Sequence, residues 1–292
     1  MHAMSRRGFT LAEILVGLLL TGIVGTAVIR ALTGTQRGTS AQFARIDAQE
    51  SARAVNYYMQ SALRELDASE GDVRVANSTT LEFRGMAWTG MSCTAVTVVG
   101  GNLRIVVKNT QLFGRRAPDA SLDSILVYNE NDPGIRTDDV WLVGAISATA
   151  GGTCADLSAG TRLTLAISAA SGGNAAAVAG FVSGGPIRGF QTEEISLYDD
   201  GAGAYWLGQR TMDNAGTWSA IEPLAGPLTS TGLALAYYDT LNAVTATLAD
   251  IASVGVTIRT QSRDIARGSA GINTNIQDSL LTRIALRNNV RY

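Results

Sequence analysis

The sequence predicts an α+β protein: one long N-terminal helix, apolar enough in its first part to cross a membrane, laid on a largely antiparallel β-sheet head. Three observations predict it. No proline occurs before Pro118, and the chain stays helix-compatible from Phe9 to about Leu66. Twenty-one residues, Phe9 to Ile29, are apolar apart from Glu13 and a few small hydroxyls. From about Gly71 onward the period changes from helical to the alternation of strands. The expected organisation is a membrane half over residues 9–30, an amphipathic half over 31–70 and a β-rich head over 71–292.

At about 1.5 Å per residue the apolar run spans roughly 30 Å, the thickness of a bilayer core. Arg6 and Arg7 precede it and Arg30 closes it. By the positive-inside rule the short N-terminal end faces the cytoplasm and the head lies outside. An ordinary signal peptide, with small residues at Gly25-Thr26-Ala27, accounts for the run but fits poorly with a glutamate inside it. A plain anchor leaves Glu13 unexplained, because an isolated carboxylate in lipid costs a few kcal/mol, about 3 by insertion scales.

Arg6-Arg7-Gly8-Phe9-Thr10-Leu11-Ala12-Glu13 resembles the processing site of type IV prepilins and pseudopilins: a basic leader, a glycine, a phenylalanine, then glutamate as fifth mature residue. The resemblance implies a leader over residues 1–8, cleavage between Gly8 and Phe9 by a prepilin peptidase, and N-methylation of Phe9. It also implies an inner-membrane subunit with a periplasmic or extracellular head, whose partners are other pilin or pseudopilin subunits. Glu13 then has a physical role, since the Phe9 amine of a neighbour neutralises it only when the subunits are correctly staggered. Gly17, Gly22 and Gly25 would allow close helix approach, or reflect ordinary transmembrane composition. The kinking proline of many major pilins is absent. The ending, from Ile221-Glu222-Pro223-Leu224 through Leu233–Tyr238 and Val254–Thr260 to Leu280–Asn288, is similar in outline to PilW-like minor pilins and J-type pseudopilins.

Beyond the membrane segment, Phe43, Ile46, Val55, Tyr58, Met59, Ala62, Leu63 and Leu66 fall at three- and four-residue steps and predict one buried helical stripe. Gly34 and Gly38 predict a break just outside the bilayer. Expected strands are Leu81–Phe83, Val96–Val99, Leu103–Val107, Ile125–Tyr128, Val140–Ile146, Arg162–Ile167, Glu194–Tyr198, Leu233–Tyr238, Val254–Thr260 and Leu280–Leu286. Hairpins are expected at Gly100-Gly101-Asn102 and at Asp199-Asp200-Gly201. The Ala-, Gly- and Ser-rich stretch Ala169–Gly185 reads as a surface loop.

Composition narrows the chemistry. The 292 residues carry a formal charge of −2 and one lysine, Lys108, so no basic footprint for nucleic acid is present. The single histidine, His2, falls in the leader that the resemblance implies is removed, which leaves no histidine for Ser-His-Asp or Cys-His catalysis or for a His-based metal site. Glu193-Glu194 and Asp199-Asp200 could be imagined as carboxylate pairs, but adjacent strand residues face opposite ways. No catalytic residue and no enzyme activity is therefore expected. Cys93 and Cys154 read as one disulfide in an oxidising compartment, or otherwise as two unpaired thiols. Asn129-Glu130-Asn131-Asp132-Pro133-Gly134 with Asp138-Asp139 offers oxygen ligands for calcium, though ordinary turn chemistry explains it better, and no cofactor or metal is expected. Trp88, Trp141, Trp206 and Trp218 read as core or head-surface residues rather than a carbohydrate platform. The expected function is a minor pilin or pseudopilin; the alternative is an anchored or secreted β-domain that binds a glycan or surface receptor without polymerising.

Overall fold

A computed structural model describes residues 10–99, 102–130, 134–135, 140–167, 181, 183–267 and 273–287. Among the described residues one helix, α1 (Leu11–Leu63), precedes thirteen strands, every pair of them antiparallel. The fold is α+β, as expected. At about 1.5 Å per residue, α1 is roughly 80 Å long. It runs unbroken through Gly34 and Gly38, so the expected break does not occur. A glycine costs only about 1 kcal/mol in a helix. Around these two, the hydroxyls of Thr33, Thr35, Thr39 and Ser40 donate to carbonyls one turn back and keep their polar groups within the helix.

The C-terminal half of α1 buries Ala44, Ala48, Ser51, Ala52, Val55, Met59 and Leu63. Val55, Met59 and Leu63 lie where the stripe was expected, but Phe43 and Ile46 do not: both are exposed. The reason is close approach. The Thr260 hydroxyl donates to the Ala48 carbonyl at 2.8 Å, and the Ser51 hydroxyl donates to the Gly226 carbonyl at 2.9 Å. At that separation only small side chains fit between helix and sheet. The helix stops at Leu63, slightly short of Leu66, where the Asp67 carboxylate accepts the Ser69 and Glu70 backbone N–H groups and turns the chain.

Two long strands organise the head. β1 (Val73–Ala76) leads into β2 (Thr80–Met91), which pairs along its length with β9 (Pro186–Asp199), from Thr80 opposite Ser196 to Met91 opposite Pro186. On the other edge of β9 the sheet forks. Thr192–Asp199 pair with β10 (Tyr205–Met212), followed by β11 (Glu222–Tyr238), β12 (Ser253–Arg267) and β13 (Asn273–Ala285). This branch packs on α1. Its core joins Met59, Leu63 and Leu66 to Leu81, Phe83, Ile195, Leu207, Leu235, Val256 and Ile258. Burying each such side chain contributes about 1.5–3 kcal/mol.

The second branch begins where Ile187–Phe190 pair with β6 (Ser124–Asn129) and continues through β7 (Val140–Thr153), β8 (Ala159–Ile167) and β4 (Asn102–Lys108). It then curls back on itself: Ser92 bridges Val107, and the Cys93 N–H donates to the Val106 carbonyl at 2.9 Å. The result is a small barrel-like lobe around a second core of Trp88, Leu103, Ile105, Ile125, Ile146, Leu163 and Ile187. Shared strands β2 and β9, rather than a linker, join the two cores. β3 (Thr97–Val99) edges the lobe, and β5 (Phe113–Gly114) pairs with Trp88 and Thr89. The β9–β10 turn forms as expected, with the Asp199 carboxylate accepting the Gly201 N–H. In the β3–β4 hairpin Val99 opposes Asn102; its two glycines, and residues 169–180 and 182 of the expected surface loop, lie outside the described residues.

Gly189 lies where the lobe core meets β9, and a Cβ there would sit 2.0 Å from Cε2 of the buried Trp88. Gly189→Ala is therefore expected to destabilise the head by about 3 kcal/mol through overpacking. A lowered midpoint in thermal or urea unfolding checks this; an unchanged midpoint would refute the packing described.

Candidate functional site

The apolar half of α1 is the most distinctive surface. It is long and apolar enough to cross a membrane, and none of its most apolar stretch is buried against the head. Leu11, Ile14, Leu15, Leu18, Leu19, Ile23, Val24, Val28 and Leu32 are all exposed, and a Cβ added at Gly17, Gly22 or Gly25 would meet nothing. Glu13 sits at the N-terminal end of this surface. Its carboxylate accepts the Thr10 N–H at 2.9 Å and the Thr10 hydroxyl at 3.0 Å, while the Thr10 oxygen accepts the Glu13 N–H at 3.3 Å. This reciprocal cap satisfies two otherwise orphaned donors and sets the acid against the positive end of the helix dipole. Sequence reading missed the cap, although Thr10-Leu11-Ala12-Glu13 carries its signature spacing. Gly8 and Phe9 lie outside the described residues.

In the barrel-like lobe Cys93 and Cys154 form the disulfide, with Cα atoms 5.2 Å apart. It ties the end of β2 to the β7–β8 turn. The same turn is braced by Asp156, whose carboxylate takes the Lys108 ammonium at 2.6 Å and the Ser158 hydroxyl and N–H. Those bonds, Lys108 first, hold its carboxyl well below the usual carboxylate range. Of the calcium candidates, Asn131, Asp132, Asp138 and Asp139 lie outside the described residues; Asn129 is buried in β6. Among the described residues no cluster of three or more His, Cys, Asp or Glu side chains could hold a metal.

Glu193 and Glu194 are both buried, and they part as alternation demands. Glu193 accepts from Arg115 at 2.9 Å and Gln209 at 2.7 Å, whereas Glu194 accepts from Arg210 at 2.5 Å. Neither supplies a carboxylate pair. Glu193 lies in a cleft of about 550 Å³ between the last turns of α1 and the β2–β5 edge, lined by Tyr58, Ala62, Leu66, Met86, Phe113 and Arg115 among others. Burial, and then the Glu193 charge, push the Tyr58 hydroxyl well above the ordinary tyrosine range. Two of the three half-buried tryptophans spend a face internally: Arg188 stacks on Trp141 at 4.6 Å and Arg210 on Trp218 at 4.5 Å. Trp88 is core, with its indole N–H donating to Asp123 at 2.9 Å. Trp206 donates to Asp200 at 3.2 Å.

No family model matches the chain, and neither a curated protein nor a solved structure does.

Two outcomes follow from this geometry. Replacing both cysteines by serine is expected to cost about 4 kcal/mol in the chain-entropy model, read from denaturant unfolding of oxidised and substituted protein. Loss of less than about 1 kcal/mol would show that the crosslink constrains little of the unfolded chain. The second concerns Glu70, 3.7 Å from Arg188, whose carboxyl is raised by burial and then by Asp67. A raised carboxyl contributes its stability below the free value and loses it as pH rises through the raised one. Glu70→Gln is thus expected to raise the melting temperature at about pH 8, with the gain shrinking toward about pH 4. A gain that grows on acidification would reverse the assignment.

Proposed function

We propose that this chain is a minor pilin or pseudopilin, a structural subunit of a type IV pilus or a type II secretion pseudopilus rather than an enzyme. One observation carries the reading: a single acid, Glu13, stands at the start of an otherwise uncharged, wholly exposed apolar helix half, directly after Arg6-Arg7-Gly8-Phe9. An apolar surface of this length has to be covered by lipid or by other helices. The glutamate makes lipid alone costly, and a neighbouring N-terminal amine offsets that cost only within an assembly. The leader over residues 1–8 is removed after Gly8, and the Phe9 amine is methylated. The subunit waits in the inner membrane with its head outside, then moves into the filament when its helix joins the bundle. The cap to Thr10 orients the Glu13 carboxylate at the helix end before a partner amine arrives.

The cleft beside Glu193 favours a second reading, an anchored or secreted β-domain whose head binds a glycan or surface receptor without polymerising. Glu13→Ala separates the two. Glu13 touches no part of the head core, so the variant is expected to keep the unfolding midpoint of the head while its recovery in sheared filaments falls at least about tenfold, as loss of a buried charge pair requires. Incorporation equal to wild type would sink the filament reading and leave the anchored binding domain.

A further inference from the structure

The cleft between the last turns of α1 and the β2–β5 edge keeps cationic donors that the fold does not use. Arg115 gives both hydrogens of Nη2 to protein oxygens, the Met86 carbonyl at 2.7 Å and Glu193 at 2.9 Å. A guanidinium carries five N–H donors. The other three, on Nε and Nη1, make no hydrogen bond among the described residues, and the side chain is 64% exposed. Arg287 lines the same cleft, is exposed, and forms no ion pair among the described residues. Glu193 offers no free charge in return, because it is buried and already holds Arg115 and Gln209. The rest of the lining is mainly apolar: Leu66, Met86 and Trp88, with Phe113 65% exposed. Gly114 sets the last of these in place. A Cβ there would sit 2.5 Å from the Ala87 carbonyl and the Trp88 Cα, so β5 lies tight on β2 and brings both Phe113 and Arg115 to the cleft.

We propose that this cleft binds a free aromatic carboxylate, its ring against Phe113 and Met86 and its charge met by Arg115 and Arg287. Three features select that class. The volume, about 550 Å³, is that of a small-molecule site. The apolar lining gains most from an apolar body, and an exposed phenylalanine favours a second ring. Two guanidiniums with free donors call for an anion, and a carboxylate accepts charge-assisted hydrogen bonds from both. Glu65, exposed on the rim and without an ion pair among the described residues, opposes the anion and keeps its binding modest. The inference goes beyond both functional readings above. The site is built from the head and the last turns of α1, so it exists whether or not the chain polymerises.

The probe is 3-(4-fluorophenyl)propionate, added to the full-length protein in non-ionic micelles and followed by the broadening of its fluorine resonance relative to micelles alone. The acid is expected to broaden at least about fivefold more than the neutral 3-(4-fluorophenyl)propanamide at equal concentration. Arg287→Gln and Phe113→Ser lie at exposed positions, so folding is not at stake, and each should bring the acid down to the level of the amide. Glu65→Gln should strengthen acid binding about twofold. Equal broadening by acid and amide, or broadening that survives both Arg287→Gln and Phe113→Ser, would overturn the site. Weaker binding in Glu65→Gln would overturn the anion assignment. Glucuronate, which carries its carboxylate on a sugar ring, is expected not to displace the probe; displacement as strong as by unlabelled 3-phenylpropionate would replace the aromatic acid with an acidic glycan. Gly-Gly-(4-fluoro)Phe, with a ring and carboxylate at the end of a chain, should bind more weakly than the free acid. Tighter binding would contradict a free acid and point to the C-terminal residue of a partner protein. None of these readouts depends on Glu13 or on cleavage after Gly8, so failure of the filament reading would appear separately, in filament incorporation.

Discussion

Everything distinctive about this molecule depends on how closely its helix lies against the sheet. The Thr260–Ala48 and Ser51–Gly226 hydrogen bonds bring α1 down onto β11 and β12. Only alanine and serine fit at that level, and the large apolar residues resume higher up at Val55, Met59 and Leu63. This contact sets the rotation of a rod about 80 Å long. It decides which residues face the head and which face outward, and among the described residues it leaves the most apolar stretch of the helix unburied.

The head meets a different constraint, two cores served by one sheet. β9 holds β2 along one edge and divides the other between β10 and β6. One half of the pair therefore floors the helix-packed core, while the other half helps wall the barrel-like lobe. Glycines at Gly85 and Gly189 make the sharing feasible, because the Glu193 side chain and the Trp88 indole lie over positions where a Cβ would collide. Distortion at either core passes along these strands to the other, so the disulfide and the Asp156–Lys108 brace support the far end of the lobe.

Much of this was legible in the sequence, and the parts that were not have physical reasons. The long helix, the apolar half and the alternating strands announce themselves through period and length, and the Asp199–Gly201 turn through its residue types. The Phe43–Ile46 error arose because hydrophobicity was taken to mark the buried face, whereas steric closeness had reserved that face for alanine. The glycines at 34 and 38 did not break the helix, since their cost is small beside a long hydrogen-bonded run. β1 and β5 are too short for any period to appear, and Pro223 and Pro227 mask the first part of β11. The fork at β9 and the closure from Cys93 to Val106 are long-range pairings that no local pattern encodes. At the candidate site, the Thr10–Glu13 cap was readable and went unread; the cleft beside Glu193, assembled from α1, β2 and β5, was not readable.

Under the proposed function, Glu13 is the fifth residue of a processed, polymerising helix rather than an unusual residue in an anchor. The most direct measurement is the intact mass and N-terminal residue of the protein isolated from its native membrane. A pilin or pseudopilin subunit is expected to begin at Phe9 and to carry one added methyl group on its amine. A chain beginning at Val28, or one still beginning at Met1, would contradict it and leave a secreted or simply anchored β-domain.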